Sequence, residues 1–122
     1  MKSCWNVSKI YKNYMKKGEI WIVDIPEIQG HEQYGTRPVI VMSELEANIV
    51  LVIPCTSNKK ALKYPHVIDL HPTKENGLLF FSVALIFQLR ALDTKRLLSK
   101  IGKITQKQEE EINNLLTKIL QL

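Results

Sequence analysis

Arg37 stands directly before Pro38, and Thr56-Ser57 follow an apolar run that ends at Pro54. A guanidinium is a permanent cation with a fork of N–H donors. A hydroxyl beside it adds another donor, and the pair suits a phosphate. A residue before proline is pushed to extended geometry, and proline prefers the first place of a strand. Arg37 is therefore expected where a long loop enters a sheet, and Thr56 where a strand leaves it. If Pro38 to Met42 and Ile49 to Pro54 form a hairpin turning near Glu46, paired positions have numbers summing to about 92, within a few residues. That register brings Arg37 beside Thr56 at one end of the sheet. Each residue alone also has a plainer reading: a solvated surface arginine, and ordinary turn chemistry at a threonine.

His31 lies in the same loop, in Gly30-His31-Glu32-Gln33. Histidine can donate or accept a proton near neutral pH, although a single loop histidine is more often inert than catalytic. His66 and His71 flank an expected strand, have no partner that spacing identifies, and read as structural. Cys4 and Cys55 are far apart, with no CxxC or Cys/His spacing of a zinc site, and are too few for a disulfide framework. Cys55 precedes Thr56, but no histidine at informative spacing marks it as a nucleophile. No metal or cofactor is expected.

These residues need a scaffold, and 122 residues suit one domain able to bury a core without staples. Hydrophobic residues at 45% and charged residues at 24% exclude a disordered chain. The net charge of +5 fits a polyanionic partner without demanding one. The N-terminus lacks an apolar h-region, so no signal peptide is expected. The longest apolar stretch, Leu78 to Phe87, is too short to span a bilayer. The expectation is a reduced, cytoplasmic protein without membrane contact.

Strand signals dominate the first two thirds. Ile20 to Ile25 reads as a first strand, and Pro26 to Thr36 as a polar loop. Pro38 to Met42 and Ile49 to Pro54 are nearly continuous apolar runs, which predicts strands covered on both faces. His66 to Leu70 is a fourth strand, Asn76-Gly77 a turn, and Leu78 to Leu89 one long or two short strands. Asp93 is placed to cap a short helix over Thr94 to Lys100, with Gly102 to stop it. Thr105-Gln106-Lys107-Gln108 is a capping box. It opens a helix whose apolar stripe is Ile112, Leu115, Leu116, Ile119 and Leu120. Short strands and one packing helix predict a mainly β fold with a C-terminal helix, a small barrel.

The phrases Gly18-Glu19-Ile20-Trp21, Gly30-His31-Glu32-Gln33, Gly35-Thr36-Arg37-Pro38-Val39, Pro54-Cys55-Thr56-Ser57 and Gln88-Leu89-Arg90-Ala91-Leu92-Asp93 occur in this order. Together, from about Met15 onward, they resemble the MazF/PemK family of toxin–antitoxin ribonucleases. The resemblance implies an SH3-like barrel that acts as a homodimer. It also implies metal-independent cleavage of single-stranded RNA at short motifs, and inhibition by a cognate antitoxin. It implies catalytic roles for Arg37 and Thr56. His31 resembles the catalytic histidine of the PemK/Kid branch, and Glu19, Ser57 and Gln33 match positions that support RNA binding or the site.

The chain also departs from the pattern. Many relatives carry an acid directly before the glutamine matching Gln88, and the PemK/Kid branch an arginine two places earlier; here those positions are Phe87 and Leu85. Phe80 and Phe81 stand where relatives often carry charge, and read as lining a dimer or antitoxin surface. Two other readings follow. Toxins of the same fold such as CcdB poison gyrase, but they end in Trp-Gly-Ile, whereas this chain ends Leu120-Gln121-Leu122. A barrel that only binds RNA or a partner is the other. The surplus of apolar residues from Leu78 to Phe87 predicts burial between two subunits. Residues 1–17, with Lys2, Lys9, Lys12, Lys16 and Lys17 and no acid, read as an extension before the domain at 18–122. A short basic helix, an arm that touches RNA and an added start before Met15 are the open readings of it.

Overall fold

A computed structural model describes residues 15–26 and 30–122. Expectations for residues 1–14 lie outside the described residues. The strands are β1 (Glu19–Ile25), β2 (Gly35–Glu44), β3 (Ile49–Thr56), β4 (Val67–Leu70), β5 (Ser82–Leu85), β6 (Arg90–Asp93) and β7 (Leu97–Lys103). One helix, α1 (Gln106–Leu120), follows them.

The apolar runs of β1 to β3 have both faces covered because alternate side chains serve two cores. Trp21, Val23, Ile25, Val39, Val41, Val50 and Val52 pack into one cluster with Leu92. Ile20, Ile40, Met42, Ile53 and Cys55 face the other way, into a cluster closed by Ile112 of α1. The strand order is β4-β5-β3-β2-β1-β7, with β6 paired to β3. All pairings are antiparallel. β3 is the hub: Ile49–Val52 pair with β6, while Cys55 and Thr56 pair with β5. The sheet curls like a barrel but does not close, because β4 and β7 remain its two ends. The expected mainly β fold with a C-terminal helix is the observed one.

The capping box of α1 forms in both directions: Gln108 N donates to Thr105 Oγ1 at 3.1 Å and Thr105 N to Gln108 Oε1 at 2.9 Å. Ile112 is fully buried, and Leu115, Leu116 and Ile119 pack partly against the same core. Leu120, expected in the stripe, is 56% exposed on the last turn.

The helix expected over Thr94 to Lys100 is absent. Asp93 does cap, accepting from Lys95 N at 2.9 Å, but the turn it opens spans only Thr94–Arg96. The chain then becomes β7 and pairs with β1, Trp21 opposite Lys100. An unpaired β1 edge wants a ladder partner, and that long-range pairing overrides a local cap. Gly102 therefore stops no helix. It lies in β7, where a Cβ would come within 2.4 Å of the Glu75 and Asn76 backbone. Of Leu78 to Leu89, only Ser82–Leu85 is strand, and Ile86–Gln88 form a 3-10 turn leading into β6.

The Asn76-Gly77 turn is packed against β7. Asn76 is 3% exposed and its Oδ1 accepts from Thr73 N and Leu78 N at 2.9 and 3.0 Å. Gly77 has φ +68°, and a Cβ there would lie 2.0 Å from the Ile101 carbonyl oxygen. Gly77→Ala is expected to destabilise the fold by more than about 1 kcal/mol, since strain and collision add. Thermal unfolding checks this: an unchanged midpoint would contradict it.

Candidate active site

In the β2–β3 ladder Val39 faces Pro54, Ile40 faces Ile53 and Val41 faces Val52. Continuing outward from Val39–Pro54 puts Arg37 across from Thr56, as the hairpin register predicted. On the other side of β3, Thr56 faces Val83, and Val83 faces Asp69. Arg37, Thr56, Val83 and Asp69 thus form one row across four strands. Directly paired residues share a face, so the row lies on one side of the sheet.

The guanidinium of Arg37 is held from several directions. Nε donates to the Tyr34 carbonyl at 2.9 Å, and Nη1 to the Cys55 carbonyl at 3.1 Å and to Gln33 Oε1. The Cys55 carbonyl belongs to the peptide that leads into Thr56, so the cation is docked on the backbone beside the hydroxyl. Burial lowers the Arg37 pKa from its ordinary value, while nearby Cys55 and Tyr34 act to raise it. A guanidinium remains charged throughout. Burial pushes the Cys55 thiol up to about 12 against the pull of Arg37. A protonated, fully buried thiol is no nucleophile.

Thr56 Oγ1 accepts from Asn58 N at 3.2 Å. A hydroxyl used as an acceptor still has its own O–H to donate. Asn58 also caps a 3-10 turn, Lys59–Lys63, by accepting from Lys60 N at 3.0 Å. Ser57 is exposed between Thr56 and that cap.

The loop before β2 is clamped by residues that lie far along the chain. Gln88 Oε1 accepts from Gln33 N at 3.0 Å, and Gln88 Nε2 donates to the His31 carbonyl at 3.4 Å. Arg90 Nη1 donates to the Gln33 carbonyl at 3.2 Å. Gln33 is thereby the link between clamp and guanidinium. Chemical reasoning on single residues overlooked Gln88 and Arg90. The available signal was that both interrupt an otherwise apolar stretch. His31 sits on this clamped loop with its side chain exposed, and its ring has no hydrogen bond to Arg37 or Thr56.

Glu19 is not brought to this cluster. It lies four residues before Val23, the β1 partner of Arg37, which is about 13 Å along a strand. Its buried carboxylate accepts from Lys16 N at 2.9 Å and Trp21 Nε1 at 3.1 Å, and pairs with Lys100 Nζ at 2.8 Å. Burial alone raises its pKa, but the bonds from Lys100, Lys16 and Trp21 together outweigh burial and hold it below the ordinary 4.5. A depressed carboxylate contributes stability that is present above 4.5 and is lost as pH falls through the lower folded value. Glu19→Gln is expected to remove that part of the acid sensitivity. Unfolding midpoints measured from neutral pH to below 4.5 check it. Equal acid slopes in both proteins would contradict it.

At the positions where relatives carry charge, Leu85 is 1% exposed in a cluster with Ala61 and Val83. Phe87 is 40% exposed, with its ring 5.5 Å from that of Tyr64. Neither can move a proton, so any acid–base chemistry must come from elsewhere.

A family model described as PemK-like, MazF-like toxin of type II toxin–antitoxin system matches residues 16–120, and the chain belongs to that family. It is 32% identical over 104 residues to Endoribonuclease MazF of Staphylococcus saprophyticus, covering 82% of this chain and 86% of that one. It is 33% identical over 111 residues to Endoribonuclease MazF9 of Mycobacterium tuberculosis, covering 84% and 92%. The crystal structure of MazF from Deinococcus radiodurans superposes with a TM-score of 0.74 at 25% identity, over 88% of this chain and 97% of that one.

Proposed function

We propose that this chain is the toxin of a type II toxin–antitoxin system and a metal-independent endoribonuclease that cleaves single-stranded mRNA at short motifs. The observation that carries the reading is the Arg37 guanidinium held on the Cys55 carbonyl, with the Thr56 hydroxyl beside it still able to donate. In the proposed reaction the RNA 2′-hydroxyl attacks the adjacent phosphorus. The P–O5′ bond breaks, giving a 2′,3′-cyclic phosphate and a 5′-hydroxyl. Charge grows on the phosphoryl oxygens, where prepositioned donors act most strongly, and Arg37 and Thr56 supply them. Arginine is a poor base. His31 is therefore the favoured group for the proton transfer, with Arg37 the alternative; catalytic hydrogen bonds often tighten only once substrate is bound. Gln33 and Ser57 support the site, Gln33 through its bond to Arg37. Glu19 supports it only at a distance, by tying down the start of β1.

A toxin of this kind is silenced by a cognate antitoxin protein, and mRNA as substrate places its action in the cytoplasm. No helix among the described residues is long and apolar enough to cross a membrane. The toxin domain is taken as 18–122 with the basic extension at 1–17. The core absorbs Leu78 and Val83 to Ile86, but Leu79 and Phe80 remain 85% and 70% exposed. A two-fold homodimer would cover them. Sedimentation at micromolar concentration is expected to give a dimer, and a monomer would count against it.

The test of function is incubation of purified protein with labelled mRNA in EDTA. Discrete fragments are expected. Retarded but intact RNA would instead indicate a binding-only barrel. Loss of gyrase supercoiling with RNA left intact would indicate a gyrase poison.

A further inference from the structure

We propose that Phe81, with Lys59 and His71, forms a nucleobase-stacking subsite next to the reaction centre. The proposal rests on the RNA-cleavage reading. The row Arg37–Thr56–Val83–Asp69 continues outward along β5 and β4. Ser82 faces Leu70, and the next residues, Phe81 and His71, meet with ring centroids 5.1 Å apart in an edge-to-face arrangement. Phe81 lies one strand across and two residues beyond Thr56, about 8 Å away on strand geometry. An extended nucleotide covers that distance. Phe81 also shares its cluster with Val83 and Leu85, so its ring is on the same face of the sheet as Thr56.

The groups around the ring are those a stacked base could use. Lys59 Nζ sits 5.5 Å from the Phe81 centroid, a cation over an aromatic face. Lys59 begins the 3-10 turn that Asn58 caps, and Asn58 donates to Thr56. The ammonium is therefore tethered to the catalytic hydroxyl by the backbone of three consecutive residues. Its long stem lets it leave the ring for a phosphate when a base takes the face. His71 lies against the same ring at a steep interplanar angle, and its Nε2 lies 3.1 Å from Asp69 Oδ2. Both are well exposed, at 73% and 56%. The Asp69 carboxylate is placed to accept from an exocyclic amine, which favours adenine, cytosine or guanine over uracil. Aromatic face, mobile cation and polar edge together are the elements of single-strand recognition.

The test begins by mapping wild-type cleavage in a long RNA. A ten-nucleotide RNA holding one mapped site is then made with an abasic unit at each position in turn. In the wild type, one abasic position adjacent to the cut, or one removed from it, is expected to raise KM about tenfold. In Phe81→Ala the intact oligonucleotide should show that higher KM, and the same abasic unit should have no further effect. Phe81→Trp, which keeps a stacking face, should restore the wild-type KM and serves as the control for folding. Lys59→Gln should raise KM and reduce its salt dependence, because one cation fewer reaches the RNA. Phe81→Ala with unaltered KM and an unaltered abasic profile would overturn the subsite while leaving the nuclease reading intact. Phe81→Ala that cleaves normally but sediments as monomer would overturn it in favour of a protein contact. A wild-type protein that cuts no RNA would overturn both readings.

Discussion

Arg37→Ala is expected to lower RNA cleavage by about 10²–10³, the usual loss for one donor aimed at a developing oxyanion. The side chain is half-buried but contributes no core atom; its bonds run to Tyr34, Gln33 and Cys55. The fold should survive, with a less tightly held loop. Arg37→Lys separates charge from geometry. It keeps the cation and loses the planar fork that reaches the Cys55 carbonyl and the phosphate together, so most of the activity should still be lost. Single-turnover rates on one oligonucleotide, with unfolding midpoints measured alongside, check both variants. Wild-type cleavage by Arg37→Ala would remove this site from the chemistry.

His31→Ala carries the other large effect. With His31 as acid or base, cleavage falls by about 10²–10⁴, and the pH–rate profile loses its limb near neutrality. The loop should stay in place, because Gln88 holds it by the backbone of His31 and Gln33, neither of which the substitution removes. Near wild-type cleavage with the limb intact would mean that Arg37 and Thr56 work without this histidine. Thr56→Ala should be milder than either, since Asn58 loses one acceptor and the phosphate one donor of several.

The meeting of Arg37 with Thr56 was legible from sequence because it depends on short-range rules. A residue before proline is extended, and hairpin partners count outward from a turn. The bulge between Val41 and Ser43 shifts the register on the turn side, yet the pairs nearest the site keep to it. The C-terminal helix was legible for a similar reason, since both halves of its capping box lie within four residues. The errors came where distant strands decide. Asp93 supplied a real cap, but the β1 edge drew the following residues into β7. Gly102 looked like a helix stop and is a point of close approach to the Asn76 turn. Gln88 and Arg90 were legible as parts of a resemblance and as polar breaks in an apolar stretch, but not by what they do. Their role is to clamp the loop carrying Gln33, and no spacing within the chain announces which backbone a distant side chain will reach. Glu19 shows the converse: a motif position whose carboxylate is spent on Lys16, Trp21 and Lys100 and stands apart from the guanidinium.

The most direct measurement is the chemistry of the RNA ends produced in EDTA by the purified wild-type protein and by Arg37→Ala. The wild type is expected to leave 5′-hydroxyl and 2′,3′-cyclic phosphate ends, and the variant to form them at least about a hundredfold more slowly. Intact RNA, or fragments bearing 5′-phosphates, or equal cleavage by both proteins would contradict it.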